Sequence, residues 1–129
     1  MSRYRLLLII LLALQLEMCA QTGDINFNSL KGKWNRAHEE EKEKDTWMFR
    51  PDSHELPPAR GREMIEFLSD NKVIYYPIAP ADGNLRRSGT YTLTKKKNEI
   101  TINYDSDDKR DVFVIVQLSD SILVLSPRY

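Results

Sequence analysis

The sequence predicts an all-β domain of about eight antiparallel strands closed into an up-and-down barrel, and three observations lead to this prediction. Apolar and polar residues alternate with a period of two, most clearly at residues 89–94 and 99–104. Turn-forming residues separate the apolar runs at short intervals. No pattern of a long amphipathic helix follows residue 24. A two-sheet sandwich is the alternative arrangement of the same strands.

Eight segments have the pattern of strands, and short polar connections join most of them. They cover residues 33–38, 46–50, 62–68, 73–78, 89–94, 99–104, 112–118 and 121–126. A short helical turn is expected before them at residues 24–31, because Asp24 is a good helix cap and Phe27 and Leu30 can share one face. The charged stretch 39–45 is interpreted as a solvated hairpin tip, and its charge spacing also allows a brief helix.

Closure into a barrel is favoured because it removes the exposed edges that a flat sheet of these strands would leave. An eight-stranded barrel is just wide enough to be filled by side chains or to hold one small ligand. Strands of this length would make a shallow cup, which is a poor fit to a large, fully enclosed lipid.

The first twenty residues have the composition of an export signal. Arg3 and Arg5 precede an unbroken apolar run at residues 6–14, and a polar stretch follows it. The apolar run is shorter than the ~20 residues that a membrane-spanning helix needs. We therefore expect residues 1–20 to be a signal peptide and residues 21–129 to form one domain outside the cytoplasm.

Two cleavage patterns are open, and they differ in the fate of Cys19, the only cysteine. Cleavage after Ala20 would remove the thiol with the signal. The stretch from Leu16 to Cys19 instead resembles the bacterial lipoprotein signal, although Glu17 and Met18 stand where that signal has small residues. This resemblance implies a lipid on Cys19. The expected location is accordingly the periplasm, the extracellular space or a lipid-anchored position at the cell envelope, and one cysteine allows no intramolecular disulfide.

The charge balance argues against a nucleic-acid partner. The chain has 19 basic and 19 acidic residues, and loss of Arg3, Arg5 and Glu17 with the signal leaves 17 basic and 18 acidic. A nucleic-acid-binding domain is usually strongly basic. Contact with a membrane is expected only through a lipid anchor.

The sequence contains no motif for metal or nucleophilic catalysis. His38 and His54 lie sixteen residues apart and are interpreted as surface histidines. A G-x-S-x-G elbow and a phosphate-binding glycine loop are both absent from the sequence. We therefore expect no enzyme, no cofactor and no metal site. A carboxylate site would require Glu63, Glu66, Asp70 and Asp82 to converge in a pocket.

Gly32-Lys33-Trp34, at the start of the first strand, resembles the Gly-x-Trp opening of the lipocalins. The following hairpins have the same order, and residues 113–125 resemble the closing strand pair of small bacterial lipocalin-like (calycin) domains. The resemblance implies a ligand cup or an inhibitor scaffold in which Trp34 closes one end of the barrel. In lipocalins a basic residue packs across this Trp, and Arg128 is the candidate here; such a contact is structural. The chain is shorter than many secreted members and lacks their disulfides.

Residues 51–60 form an irregular loop because they contain three prolines. Five arginines lie in this loop, beside it or in a later loop: Arg50, Arg60, Arg62, Arg86 and Arg87. Guanidinium groups bind carboxylates and phosphates, so these arginines could form an anion site at the barrel mouth. The alternative is that they pair with nearby carboxylates and fix the loop to the rim. The candidate partners are Asp52, Glu55, Glu63 and Asp82.

A set of aromatic residues could line a cavity or fill the barrel as a core. They are Trp47, Phe49, Phe67, Tyr75, Tyr76, Tyr91 and Tyr104. In the first interpretation, tyrosyl hydroxyls would supply polar contacts, with Tyr75 and Tyr91 as candidate ligand-binding residues.

These features predict an exported, non-catalytic domain that binds a small amphipathic or anionic ligand in the cell envelope. The alternative is a structural, interaction or inhibitor protein that presents loops on a packed barrel. The interior volume of the barrel discriminates between the two hypotheses.

Overall fold

A computed structural model of the protein describes residues 25–77, 86–106 and 108–128. These residues form eight strands: β1 (Gly32–Arg36), β2 (Trp47–Pro51), β3 (Met64–Phe67), β4 (Lys72–Tyr76), β5 (Arg87–Thr94), β6 (Glu99–Tyr104), β7 (Arg110–Leu118) and β8 (Leu123–Arg128). Three 3₁₀ turns accompany them: Phe27–Leu30, His38–Glu40 and Lys95–Lys97. The expected signal peptide with Cys19 lies outside the described residues, as do Asp24 and Asp82.

The strands close into one antiparallel barrel, which confirms the predicted fold class and excludes the sandwich. Every strand pair is antiparallel, and β3 to β8 are neighbours in chain order. The first strands depart from that order, because β1 lies between β2 and β3. Pairing of β2 with β8 then closes the barrel.

The predicted elements agree closely with the observed ones. The helical turn before β1 is confirmed as the 3₁₀ turn Phe27–Leu30, and the side chain of Asn26 caps it by accepting a hydrogen bond from the Asn28 N–H. The first strand ends at Arg36 rather than at His38, because a 3₁₀ turn begins the charged loop at His38. Within the described ranges, no helix is long and apolar enough to cross a membrane.

The first turn and the β5–β6 and β7–β8 hairpins form one end of the barrel, called here the closed end. Leu30 is fully buried there, and its carbonyl accepts a hydrogen bond from the Trp34 indole N–H at 2.8 Å. Ser29 donates to Asp120 in the β7–β8 hairpin. Lys95 of the β5–β6 hairpin lies 5.9 Å from the Phe27 ring centroid. The turn therefore covers the ends of several strands at the closed end of the barrel.

Alternation along the strands sends one set of side chains into the barrel. On β6 the inward residues are Ile100, Ile102 and Tyr104, all buried. Near the closed end this interior is packed, with Phe67 edge-on to Tyr91 at a centroid distance of 5.2 Å. The opposite end, called here the open end, is less completely filled.

Candidate functional site

A cavity of about 300 Å³ lies at the open end of the barrel. Its walls include Trp47, Phe49, Ile65, Ile102, Phe113 and Leu125. These walls are apolar or aromatic because the inward positions of β2, β3, β6, β7 and β8 carry such residues. The volume lies at the lower limit of the ~300–1,000 Å³ typical of ligand sites. The cavity therefore has the size and chemistry to take a small apolar group.

The aromatic wall is formed by side chains that meet across the sheet. The Trp47 and Phe113 rings are tilted by 55° with centroids 5.4 Å apart. Trp47 pairs with Leu125, and Phe113 pairs with Ile100, so both rings point into the barrel. Tilted arrangements of this kind are favourable for aromatic pairs.

An arginine with two glutamates lies above this wall. Arg36 follows Trp34 by two positions and so also points inward. Its guanidinium binds Glu41 at 2.7 Å and Glu63 at 2.9 Å. Burial acts to lower the pKa of Arg36, but the hydrogen bonds and charges of Glu41 and Glu63 raise it overall. All three side chains are largely buried, so this ion-pair network is a fixed polar roof.

Two tyrosines donate their hydroxyls to carboxylates at the same level. Tyr75 donates to Glu63 at 3.1 Å, and Tyr104 donates to Asp111 at 2.6 Å. Burial raises the pKa of both hydroxyls, and the neighbouring carboxylates raise them further. Both phenols therefore remain neutral hydrogen-bond donors at physiological pH.

Two guanidinium groups stack on aromatic rings of the site. Arg36 lies 4.4 Å from the Trp47 ring centroid, and Arg87 lies 3.7 Å from that of Tyr104. A cation over an aromatic face is stabilised by about 0.5–2 kcal/mol. Arg36 thereby holds the Trp47 ring beside the polar roof, and Arg87 holds the Tyr104 ring.

Three consecutive glutamates fix the loop after β1 to the barrel. Glu41 binds Arg36, as described above. Glu40 binds Arg50 at 2.8 Å, and Glu39 binds Arg62 at 2.5 Å. The hydrogen bonds from Arg62 hold the pKa of Glu39 at about 2, and those from Arg50 lower the pKa of Glu40.

Arg50 and Arg62 also donate to main-chain carbonyls. Arg50 binds the carbonyl of Ser121, and Arg62 binds those of Arg36 and Pro57. Their partners are thus the glutamates of the charged loop and the main chain, not the carboxylates of the proline-rich loop or Glu63. Both groups have few donors left for an external anion.

The other predicted arginines lie in different surroundings. Arg60 and Arg86 are exposed. Arg87 is partly buried against Tyr104, and it makes further interactions. The structure therefore does not gather the five arginines into one cluster at the mouth. Of the two predicted tyrosines, Tyr75 lines the cavity, whereas Tyr91 is buried in the core beside Phe67.

The three residues expected to close one end of the barrel lie at opposite ends of it. Gly32 begins β1 with a positive φ of 125°, and Trp34 is buried beside the first turn. Arg128 lies near the open end and forms an ion pair with Glu99. The indole that carries a stacked cation is that of Trp47, and the cation is Arg36.

Sequence reasoning missed Arg36 and Asp111 as site residues. The signal was alternation: Arg36 lies two positions after Trp34, and Asp111 lies two positions before Phe113. Counting by two from an inward aromatic residue would have placed both charges inside the barrel. Arg36 lies within the predicted strand 33–38, and Asp111 immediately precedes the predicted strand 112–118.

Three of the four acidic residues considered for catalysis do not share a pocket, and the fourth, Asp82, lies outside the described residues. Glu63 is in the polar roof, Glu66 is half-buried on the outer face, and Asp70 is exposed in the β3–β4 turn. In the described ranges, no three or more His, Cys, Asp or Glu side chains are arranged to hold a metal ion. His38 and His54 are exposed.

Comparison with known proteins gives one family. A family model described as a lipocalin-like domain matches residues 30–125, well over half of the chain. Searches of curated proteins and of solved structures return no match. The lipocalin-like barrel supports a domain of the ligand-binding type, and the family is generally non-catalytic. From the match and the closed eight-stranded barrel, we conclude that the chain belongs to the lipocalin-like domain family.

Proposed function

We propose that this protein is an exported, non-catalytic binding protein of the cell envelope that holds a small amphipathic ligand at the open end of the barrel. The observation that carries the proposal is the cavity of about 300 Å³, whose walls are mainly apolar and aromatic and which also has polar groups from Tyr75, Tyr104 and Asp111. Such a site would bury the apolar part of a ligand and leave its polar part near the mouth.

The interior of the barrel favours this function over a packed barrel that only presents loops. Trp47, Phe49, Tyr75 and Tyr104 all line the cavity. A scaffold without a ligand would gain stability by filling that space, because close packing is favourable in protein interiors. A cavity kept open between aromatic walls therefore supports a binding role.

The ligand proposed here is amphipathic rather than simply anionic. Arg50 and Arg62 already bind Glu40 and Glu39 through two nitrogens each. An anion would have to displace these bidentate pairs, which are strong for hydrogen-bonded contacts. The apolar wall is available without such a cost.

A non-catalytic role is supported by the state of the polar groups. The hydroxyls of Tyr75 and Tyr104 are held as neutral donors to carboxylates, which makes them poor bases and poor nucleophiles. The glutamates that approach Arg36 are occupied by it. None of these groups resembles an activated nucleophile with its base.

The export component is tested by the mass of the protein recovered from the envelope fraction. A chain that begins near Gln21 would indicate ordinary cleavage, and a lipid-modified Cys19 would indicate an anchor. Retention of the whole chain in the cytoplasm would contradict export.

Binding is tested by a titration of the exported protein with octan-1-ol, followed by amide NMR shifts. We expect shifts at β2, β6, β7 and β8 around the cavity and none at the Phe67–Tyr91 contact. Ile102→Phe places a ring in the cavity and should weaken binding at least ~10-fold, since the apolar surface of the ligand would stay in water. Val116→Phe makes a comparable change on the outer face, where Val116 is 55% exposed, and should leave binding unchanged. Absence of saturable shifts, or equal binding by Ile102→Phe, would refute the proposed function.

A further inference from the structure

Asp111 is a charged residue on an inward position of the barrel. It pairs with Ile102, a buried core residue, and precedes the buried Phe113 by two positions. Arg110, the preceding residue, is exposed and pairs with the outward Asn103. Among the described residues that line the cavity, Asp111 is the only one with a carboxylate.

One oxygen of this carboxylate has a partner, and the other is open to the cavity. Oδ2 accepts the hydroxyl hydrogen bond of Tyr104 at 2.6 Å. Oδ1 accepts no hydrogen bond from the described residues. A carboxylate has about four acceptor positions on its two oxygens, so Asp111 keeps acceptor capacity at the cavity wall. The Tyr104 bond also fixes its orientation.

Asp111 has no ion-pair partner in the described part of the chain. Arg36 is shared between Glu41 and Glu63, and Arg87 is stacked on the Tyr104 ring. Arg110 and Arg128 also border the cavity, and neither forms an ion pair with Asp111. Arg128, at the lip, forms an ion pair with Glu99. Arg110 is exposed at the edge of the cavity, so water screens its charge.

The walls beside Asp111 also favour a cation. Trp47, Tyr75, Tyr104 and Phe113 surround the cavity with aromatic rings. Aromatic faces attract cations, and they do so more strongly where water is excluded. An ammonium group could therefore donate to Asp111 while its alkyl chain lies against the apolar floor.

We propose that the ligand is a small amphiphile with a primary ammonium group and that Asp111 is the residue that selects it. This inference rests on the proposed function, because it assigns the polar part of the ligand for the same cavity. A hydrogen bond between charged groups is both shorter and stronger than a neutral one. Selection by Asp111 therefore means that an ammonium head binds more tightly than a hydroxyl or carboxylate head on the same chain.

The test compares three probes with one alkyl chain: n-octylammonium, octan-1-ol and octanoate. Calorimetric titration of the exported protein should give the tightest binding for n-octylammonium, at least ~10-fold tighter than octan-1-ol, as a charged hydrogen bond would supply. Asp111→Asn should remove this advantage and leave octan-1-ol binding within about twofold. Asp108→Asn removes an exposed acid from the preceding turn and serves as the matched charge control.

Folding of the variants is checked by circular dichroism. Should Asp111→Asn fail to fold, Asp111→Glu keeps the charge, and the preference of the unaltered protein among the three probes still decides the matter. Equal binding of n-octylammonium and octan-1-ol would overturn this inference and preserve the proposed function. Tighter binding of octanoate would overturn it in favour of an anionic ligand. Failure of all three probes to bind would overturn both proposals.

Discussion

The guanidinium of Arg36 lies 4.4 Å from the Trp47 ring centroid, so one residue joins the polar roof to the aromatic wall of the cavity. The same group binds Glu63, which immediately precedes β3, and Glu41 in the charged loop. It therefore connects three segments that come from different parts of the chain. Loss of this side chain should affect both stability and the environment of Trp47.

Arg36→Met is expected to destabilise the barrel by about 3 kcal/mol, because Glu41 and Glu63 would lose the charge that compensates their burial. The free energy of unfolding in urea measures this change. Tryptophan emission of the folded variant should also shift, since the cation would be gone from the Trp47 ring. Arg60→Met, at an exposed position, is the control and should change stability by less than about 0.5 kcal/mol. Equal stability of the two variants would contradict the role given to Arg36.

Trp34→Phe should cost about 2–3 kcal/mol, because it removes a buried hydrogen bond and leaves unfilled volume. The Trp34 indole N–H donates to the Leu30 carbonyl, and Trp34 is only 2% exposed. Trp47→Phe offers a comparison, since Trp47 borders the cavity and is half-buried. Its expected cost is about 1 kcal/mol, mainly the lost contact with Arg36. Thermal unfolding of both variants tests whether Trp34→Phe is the less stable of the two. A larger loss of stability for Trp47→Phe would contradict this prediction.

Gly89→Ala should disrupt the pairing of β5 with β6. A Cβ at Gly89 would overlap the carbonyl oxygen of Asn103. This oxygen belongs to the main chain, so it cannot move aside as the end of a flexible side chain could. The expected cost is about 3 kcal/mol or more. Gly32→Ala meets no atom within 4 Å, but its φ of 125° is strained for any other residue, at a cost of about 1–2 kcal/mol. The free energy of unfolding, measured with denaturant, should therefore be lower for Gly89→Ala than for Gly32→Ala. The reverse order would contradict the close approach at Gly89.

Most strands of the barrel could be predicted from the sequence, because a strand with one buried face has alternating apolar and polar residues. Residues 99–104 alternate cleanly, and the observed β6 has the same bounds. The position of β1 between β2 and β3 could not be predicted in this way. It depends on pairing between distant segments, and alternation within one strand says nothing about its neighbours.

The site was predicted less well because ion pairs depend on the folded arrangement. Arg62 and Glu39 are far apart in sequence and meet only because β1 and β3 are neighbours. The local pattern instead directed attention to carboxylates near the proline-rich loop. Asp111 immediately precedes the predicted strand at residues 112–118, so the sequence pattern gives it no direction relative to the barrel. Its inward direction follows from the register of β7 with β6.

The ion pair of Glu39 with Arg62 predicts a specific acid sensitivity of stability. The pKa of Glu39 falls from an ordinary value of 4.5 to about 2 in the folded protein, chiefly through hydrogen bonds from Arg62. A carboxyl whose pKa is lower in the folded state stabilises the fold above its unfolded pKa, and this contribution is lost as the pH falls through the folded pKa. Glu39→Gln should therefore have a lower urea midpoint than the unaltered protein at pH 6, and the difference should shrink between pH 4.5 and 2. Because the pair is exposed, ~1 M NaCl should also reduce the difference. Glu43→Gln, in the same exposed loop, is the matched control. A difference for Glu39→Gln that stays constant down to pH 2 would show that the charge of Glu39 does not fix this loop.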